Sequence, residues 1–237
     1  MFYDVKDLLG YRLYAIDEDI GHIKDFYFDD QTWAIRYLIA DTGSWLSSHK
    51  VLVSPYAFVS LDREKRRLYL RLTKKQIAEG PLIATELPVS RQFEVDYYKN
   101  FGFPFYWQGG GMWGTSAIPT IPIAQEAGLS ESVDTPRRLQ GNDDPHLRSI
   151  HAIMHYHIWA SDGDVGRVHD FLIDEPTWSI QHIVIKTVIW FAGRNIWLPV
   201  DNIKAINFRE STISIDMTRD EIQQRPQFYP QQVGQQK

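Results

Sequence analysis

An internal repeat constrains the fold more than any other feature of this sequence. The segment GHIKDFYFDDQTW, which begins at Gly21, returns as GRVHDFLIDEPTW, which begins at Gly166. At this fixed offset of 145 residues, 16 of the 71 residues from 11 to 81 are identical to their counterparts, and no gap is needed. Identity at this level is roughly four times what chance matching gives. A repeat of this length predicts two copies of one small domain rather than the short units of a solenoid.

Each copy has the pattern of short strands that end in one helical turn. An Asp-Gly pair has the chemistry of a tight hairpin turn, and RRLYLRL and STISIDM alternate with the period of a strand. Thr73 and Thr218 then begin Thr-x-x-Gln/Glu capping boxes, which predict a short helix ending before Pro81 and Pro226. Five or six short strands with one helical turn predict a small antiparallel barrel in each copy.

These motifs resemble the PRC-barrel family. The resemblance is carried by the Gly-x-Ile/Val-x-Asp-Phe pattern at Gly21 and Gly166, the tryptophan of the next strand, the Val-Leu-Val-x-Pro strand and the closing capping box. The family is named for a barrel in the H subunit of photosynthetic reaction centres and also occurs in a ribosome-maturation factor. The chain looks most similar to bacterial proteins with two such barrels in tandem.

The resemblance implies an all-β fold with two small antiparallel barrels, each closed by a short helix. It implies no particular activity, because members of the family share a scaffold rather than a reaction. We expect Phe26 and Phe171 to be core residues. The structural motif comprises Gly21, Asp25, Phe26, Trp33 and Thr73 with their counterparts Gly166, Asp170, Phe171, Trp178 and Thr218.

The repeat also sets the predicted domain boundaries. Between the copies, Ser90 is a suitable N-cap for a helix, and a later stretch rich in Gly, Pro, Ser, Thr and Gln is typical of a flexible linker. The predicted units are a first barrel (1–81), a linker (82–145) with a helix at about 90–100 and a flexible part (108–145), a second barrel (146–229) and a loose tail (230–237).

Composition argues against several classes of protein. The chain has no cysteine, which excludes disulfides and thiolate zinc sites. Its net charge of −5 and the lack of a Lys/Arg-rich block argue against a nucleic-acid partner. No apolar run is long enough to span a membrane, and the first residues do not have the pattern of a signal peptide. We therefore expect a cytoplasmic protein.

The sequence does not bring together residues of the kind that catalysis or metal binding needs. His151, His155 and His157 do not converge in either a helix or a strand, and the two acidic loops lack the later ligands of a calcium loop. Asp25 and Asp170 lie inside apolar strands without a repeated titratable partner, so we interpret them as acceptors for buried backbone N–H groups. We predict no catalytic residue, no metal site and no cofactor.

Two groups of residues are candidates for an interaction site. Trp45 and Trp190 lie in loops after the central strand, where each either caps its own barrel, which we favour, or anchors a partner. The aromatic segment 101–107 either packs against the barrels or forms an exposed patch for a partner. The candidate interaction residues are Trp45, His49, Trp190, Arg194, Phe103, Phe105, Tyr106 and Trp107.

These patterns favour a non-enzymatic binding or scaffold protein whose two similar barrels engage a protein partner or each other. Tethering raises the effective concentration of each copy for the other, so we expect pseudo-twofold packing with the aromatic segment 101–107 against the barrels. The alternative, implied by the resemblance to the H subunit, is a protein that handles a small ligand or cofactor and modulates electron transfer.

Overall fold

The fold consists mostly of β-strands arranged in two mixed, seven-stranded sheets. The computed structural model describes residues 1–46, 50–81, 89–121, 146–188 and 193–228. In chain order, the elements of the first part are β1 (Phe2–Asp4), α1 (Val5–Leu8), β2 (Arg12–Tyr14), β3 (Asp19–Asp29), β4 (Ile35–Asp41), β5 (Lys50–Val53), β6 (Phe58–Asp62), β7 (Arg67–Leu70), α2 (Lys74–Glu79) and α3 (Arg91–Phe101).

The second part of the chain repeats this order of elements. Its elements are β8 (Leu147–Ser149), α4 (Ile150–Ile153), β9 (His157–Ala160), β10 (Gly163–Asp174), β11 (Ser179–Thr187), β12 (Asn195–Pro199), β13 (Ile203–Asn207), β14 (Thr212–Ile215) and α5 (Arg219–Gln223). The strand orders β5-β4-β3-β2-β7-β6 and β12-β11-β10-β9-β14-β13 are the same once the offset is applied.

Closed antiparallel barrels are not detected in the described part of the chain. Each strand order runs from one end strand to another, and each sheet contains a parallel pair, β2 with β7 and β9 with β14. The sequence predicted antiparallel pairing because turn residues report only on strands that are neighbours along the chain. The parallel pairs join strands that are distant in sequence, for which no turn provides a signal.

The two copies exchange their first strands. β1 pairs with β10 in the sheet of the second copy, and β8 pairs with β3 in the sheet of the first copy. The helical turns α1 and α4 follow directly after the exchanged strands. Each sheet therefore includes a strand from the other copy, an arrangement that the sequence did not predict.

A pseudo-twofold axis passes between Ala34 and Ser179, which are equivalent in the repeat and form an isolated antiparallel bridge. Beside this bridge, the carbonyl groups of Trp33 and Trp178 each accept an N–H group from the other copy at 2.8 Å. Both tryptophans have a left-handed backbone, with φ of 59° and 48°, which is rare for bulky residues. The expected pseudo-twofold packing is confirmed.

One apolar core extends through both copies. Phe26 and Phe171 are fully buried, as predicted, and both belong to the same cluster of buried side chains. The rings of Phe28 and Phe171 lie 6.5 Å apart, which connects the interiors of the two sheets directly. Unfolding of one copy would therefore expose apolar surface of the other.

The two predicted capping boxes are confirmed. Thr73 Oγ1 accepts the N–H of Gln76 at 3.2 Å, and the Thr73 N–H donates to Gln76 Oε1 at 2.8 Å. Thr218 and Glu221 make the same two contacts at 3.3 and 2.7 Å. The short helices α2 and α5 begin after these residues, because their first N–H groups find acceptors there.

The helix predicted between the copies is also present, and it packs on the first sheet. Ser90 is the N-cap of α3, and Gly102 ends the helix with a φ of 66°. On the buried face, Glu94 accepts hydrogen bonds from Tyr37 Oη at 2.8 Å and Tyr106 Oη at 2.9 Å. A carboxylate in this position needs such donors because an unpaired buried charge is costly.

The segment 108–121, predicted to be flexible, is folded. Trp113 is buried between the copies: its Nε1 donates to Thr177 O at 2.7 Å, and its carbonyl accepts the hydroxyl of Tyr56 at 3.1 Å. The large apolar surface of this one tryptophan outweighs the Gly-rich composition around it. The rest of the predicted flexible linker, 122–145, lies outside the described residues, as does the predicted tail, 230–237.

Candidate functional site

Trp45 packs against its own sheet rather than extending into solvent. It is half-buried, its Nε1 donates to Ile20 O at 3.0 Å, and Lys74 Nζ lies 5.0 Å from the centre of its ring. These contacts support the capping alternative. Its predicted companions His49 and Trp190 lie outside the described residues.

The remaining candidate interaction residues do not form one surface. Phe103 and Tyr106 are buried against the first sheet, so they contribute to the core and cannot serve as surface anchors. The rings of Phe105 and Trp107 stack on each other at 4.8 Å between their centres and are half-buried. On the second copy, Arg194 directs its guanidinium to a backbone carbonyl within that copy at 3.0 Å.

The repeated aspartates bind the exchanged helical turns. Asp25 accepts from the N–H of His151 at 3.0 Å and from Ser149 Oγ at 2.5 Å. In the other copy, Asp170 Oδ1 accepts from the N–H of Lys6 at 3.2 Å. Each aspartate also accepts the N–H of the residue that follows it, at 2.8 Å in both cases. The interpretation as backbone acceptors is confirmed, and the acceptors act between the copies.

Burial raises the pKa of both aspartates, and the two copies differ in the residue beside them. Asp25 faces the hydroxyl of Ser149, whereas the equivalent neighbour of Asp170 is Asp4. The pKa of Asp170 is raised to about 7. Burial is the main cause, and the negative charge of Asp4 also contributes. The pKa of Asp4 itself is raised to about 6, first by burial and then by the charge of Asp7.

Asp170→Asn is expected to become more stable relative to the wild type as the pH rises. Because the folded protein binds the proton of Asp170 more tightly than the unfolded chain, this group lowers the free energy of unfolding between about pH 4 and about pH 7. The asparagine keeps the Oδ1 acceptor for Lys6 and Phe171 and removes the buried charge. Denaturant melts of both proteins at about pH 5 and about pH 8 measure the difference.

Asp170→Ala is the control for this prediction, because it removes the same charge and also the acceptor, so it should be about 1–3 kcal/mol less stable than Asp170→Asn at both pH values. Because the charges of Asp4 and Asp170 interact, the difference between wild type and variant reports the titration of Asp170 together with its coupling to Asp4. If the wild type instead becomes more stable relative to Asp170→Asn as the pH rises, the raised pKa of Asp170 is contradicted.

A groove with a volume of about 220 Å³, lined mostly by apolar residues, lies at the junction of the copies, beside β6. Tyr3 comes from the exchanged strand β1, Trp178 from the second copy, and Phe58 from β6; the rings of Phe58 and Trp178 meet edge to face at 4.5 Å. Val59 and Ile118 also line the groove, and 60% of the Val59 surface is exposed. The groove depends on the exchange of strands.

The two copies make equivalent contacts between an arginine and an aromatic ring, one of them at Tyr3 of the groove. In the first copy Arg63 stacks over Tyr3 at 4.5 Å, and in the second Arg148 stacks over Phe208 at 4.1 Å. The pairs occupy equivalent positions with the cation and the ring interchanged, so the contact itself is retained. Among the described residues, only the second pair is joined to an acid by an ion pair, Arg148 Nε to Asp30 at 2.9 Å.

β6 ends its sheet and pairs only with β7 among the described strands. The equivalent end strand in the second copy is β13, which places the exposed Lys204 where β6 has Val59. A lysine on an end strand discourages pairing with another chain, and a valine does not. The difference is visible in the aligned repeats, but its meaning depends on knowing that both strands are at an edge.

Comparison with known families supports the fold of the first copy. Residues 1–77 match the family model of the PRC-barrel domain. The match covers 77 of the 237 residues of the chain. No curated protein matches the chain. In the described residues, no helix is both long and apolar enough to cross a membrane.

Proposed function

We propose that the protein is a non-enzymatic binding scaffold whose groove beside β6 receives an extended segment of a protein partner. The observation that carries this proposal is an end strand with an exposed valine beside an apolar groove. An added strand gains main-chain hydrogen bonds from the open edge, and its side chains gain affinity from the adjacent pocket.

Chemistry of the groove favours an apolar partner segment. Most of its wall is apolar: aromatic rings, Leu61 and Leu68 of the first copy, and Ile118 and Pro119 of the linker, with Ser60, Thr120 and Glu175 as its polar members. A volume of about 220 Å³ suits one or two side chains rather than a whole cofactor, since small-molecule pockets are usually larger, about 300 Å³ and above. The shared core holds the walls of the groove in place, so little ordering accompanies binding.

Val59→Lys tests this proposal, because the repeat itself shows that the fold accepts lysine at this position, in Lys204. A photo-crosslinking amino acid at position 59 of the full chain first identifies the contacting segment in native cells. A synthetic peptide of that segment should then bind the wild type at least about tenfold more tightly than Val59→Lys, a difference of about 1.4 kcal/mol.

Ile16→Lys is the matched control, since Ile16 is 67% exposed and does not line the groove. Its affinity for the peptide should equal that of the wild type. Equal loss in both variants would indicate a general charge effect and contradict the proposal. Crosslinks from position 59 to a second copy of this chain alone would assign the edge to self-association instead.

We also propose that residues 146–229 form a second domain of the PRC-barrel type. The correspondence of strand order, capping box and helical turns between the copies supports this assignment. The predicted lack of a catalytic residue, a metal and a nucleic-acid partner, and the predicted cytoplasmic location, stay predictions. The alternative of cofactor handling in electron transfer also stays a prediction.

A further inference from the structure

A second groove, with a volume of about 450 Å³, lies on the second copy where the exchanged helix α1 meets β10 and β11. It is separate from the groove beside β6, and its residues are different. Among the described residues that line it there is no carboxylate. Its five basic or imidazole side chains are Lys6, His155, Arg167, His169 and Lys186.

Two of these cations face each other directly. Arg167 of β10 and Lys186 of β11 are cross-strand partners in the antiparallel ladder. Like charges at opposite positions of a ladder repel each other. The equivalent pair in the first copy is His22 and Asp41, which do not repel. Copy two therefore has a destabilising pair where the same fold accommodates a compatible one.

Strand exchange adds a third cation to this pair. Lys6 Nζ lies 3.0 Å from His169 Nδ1. Burial lowers the pKa of His169, and the charges of Lys6 and Lys186 lower it further. In the described part of the chain, neither Lys6, Arg167 nor Lys186 forms an ion pair with a carboxylate. The groove thus concentrates the positive charges of Arg167 and Lys186, whereas Asp170 partly offsets that of Lys6.

His155 is held in a backbone conformation that disfavours side chains. Its φ is 71°, in the left-handed region, and the equivalent residue in the first copy is Gly10, with a φ of 81°. Glycine adopts this conformation freely, whereas it is uncommon for histidine. An imidazole at the edge of a cationic groove, at a position where the same fold elsewhere has glycine, points to a functional requirement rather than a folding one.

We propose that this groove binds a small phosphate ester. Lysine and arginine are the usual cationic ligands of phosphate groups, and several cations lining one groove match an anion of two charges. Val168 and Val188 give the groove an apolar side for the organic part of the ligand. The volume lies within the usual range for small-molecule sites.

Phenyl phosphate is a suitable probe, because it combines a dianionic phosphate with an apolar group. Calorimetric titration of the full chain should show saturable binding. Lys186→Asp should weaken it at least about tenfold. The fold accepts aspartate here, since Asp41 occupies the equivalent position. Lys24→Asp is the matched control: Lys24 is exposed, is the counterpart of His169 in the first copy and does not line the groove, so affinity should stay within about twofold of the wild type.

His155→Gly separates binding from folding. It restores the residue of the first copy, so the thermal midpoint should be equal or higher while the affinity for phenyl phosphate falls. A variant that merely folded poorly would lower both. Loss of affinity without loss of stability therefore supports the proposal, and unchanged affinity in both His155→Gly and Lys186→Asp overturns it.

Three further outcomes would also overturn the proposal. The first is an absence of saturable binding of phenyl phosphate by the wild type. Equal weakening by Lys24→Asp and Lys186→Asp would indicate diffuse attraction by surface charge. Tighter binding of citrate than of phenyl phosphate would assign the groove to carboxylates instead of phosphates.

Discussion

Phe26→Ala and Phe171→Ala are each expected to lower the free energy of unfolding by about 3–5 kcal/mol, the range measured for buried phenylalanines. Both side chains are fully buried and lie in the strands that receive the exchanged segments. Truncation leaves a cavity that the paired strands cannot close, because they are held on both sides. Chemical denaturation of wild type and variants measures the loss.

Because the copies share one core, each substitution should shift a single transition rather than one of two. Two independently folding domains would instead show one transition that moves and one that stays. Ile16→Ala is the control, since an exposed side chain of this kind contributes within about 0.5 kcal/mol. Losses of that small size at both phenylalanines would contradict the alignment of the repeats.

Much of the local structure could be predicted from the sequence because its causes are local. The capping boxes at Thr73 and Thr218 depend on residues three positions apart, and Ser90 begins α3 for the same kind of reason. Burial of Phe26 and Phe171 follows from their place in repeated apolar strands. In each case the pattern along the chain contains the interaction that determines the structure.

The exchange of strands could not be predicted, since the two copies have the same pattern. β1 fits beside β3 or β10 equally well as judged from its three residues, and the sequence does not state which partner it meets. The contacts of Trp113 show the same difficulty: its Gly-rich surroundings predicted a flexible segment, and the sequence does not indicate its place between the copies. Contacts between residues that are distant in the sequence decide both the partner of β1 and the position of Trp113.

The two grooves depend on this long-range pairing. Val59 and Lys204, or Lys186 and Asp41, are visible as differences in the aligned repeats. Their significance appears only when Val59 is seen on an end strand and Lys186 is seen opposite Arg167. Because the chain contains two copies of the same strand order, each copy is an internal comparison for the other. A residue that differs between equivalent positions is not required by the fold.

Gly21→Ala and Gly166→Ala are each expected to destabilise the protein by about 3–5 kcal/mol, through backbone strain and overpacking together. These glycines have φ of 128° and 154°, and each lies beside an irregularity in the pairing of its hairpin. A Cβ on either would overlap a backbone carbonyl of the next strand, that of Asp41 or of Lys186. The overlapping atom belongs to the sheet and cannot rotate away.

Gly10→Ala separates the two contributions. Its φ of 81° also disfavours a side chain, but no atom lies within 4 Å of the added Cβ, and the second copy has His155 at this position. It should therefore cost only the strain of the left-handed conformation, about 1–2 kcal/mol. Thermal and denaturant melts of the three variants measure the ranking. A Gly10→Ala loss as large as those of Gly21→Ala and Gly166→Ala would show that strain alone explains the repeated glycine, and that the close approach of the strands contributes nothing.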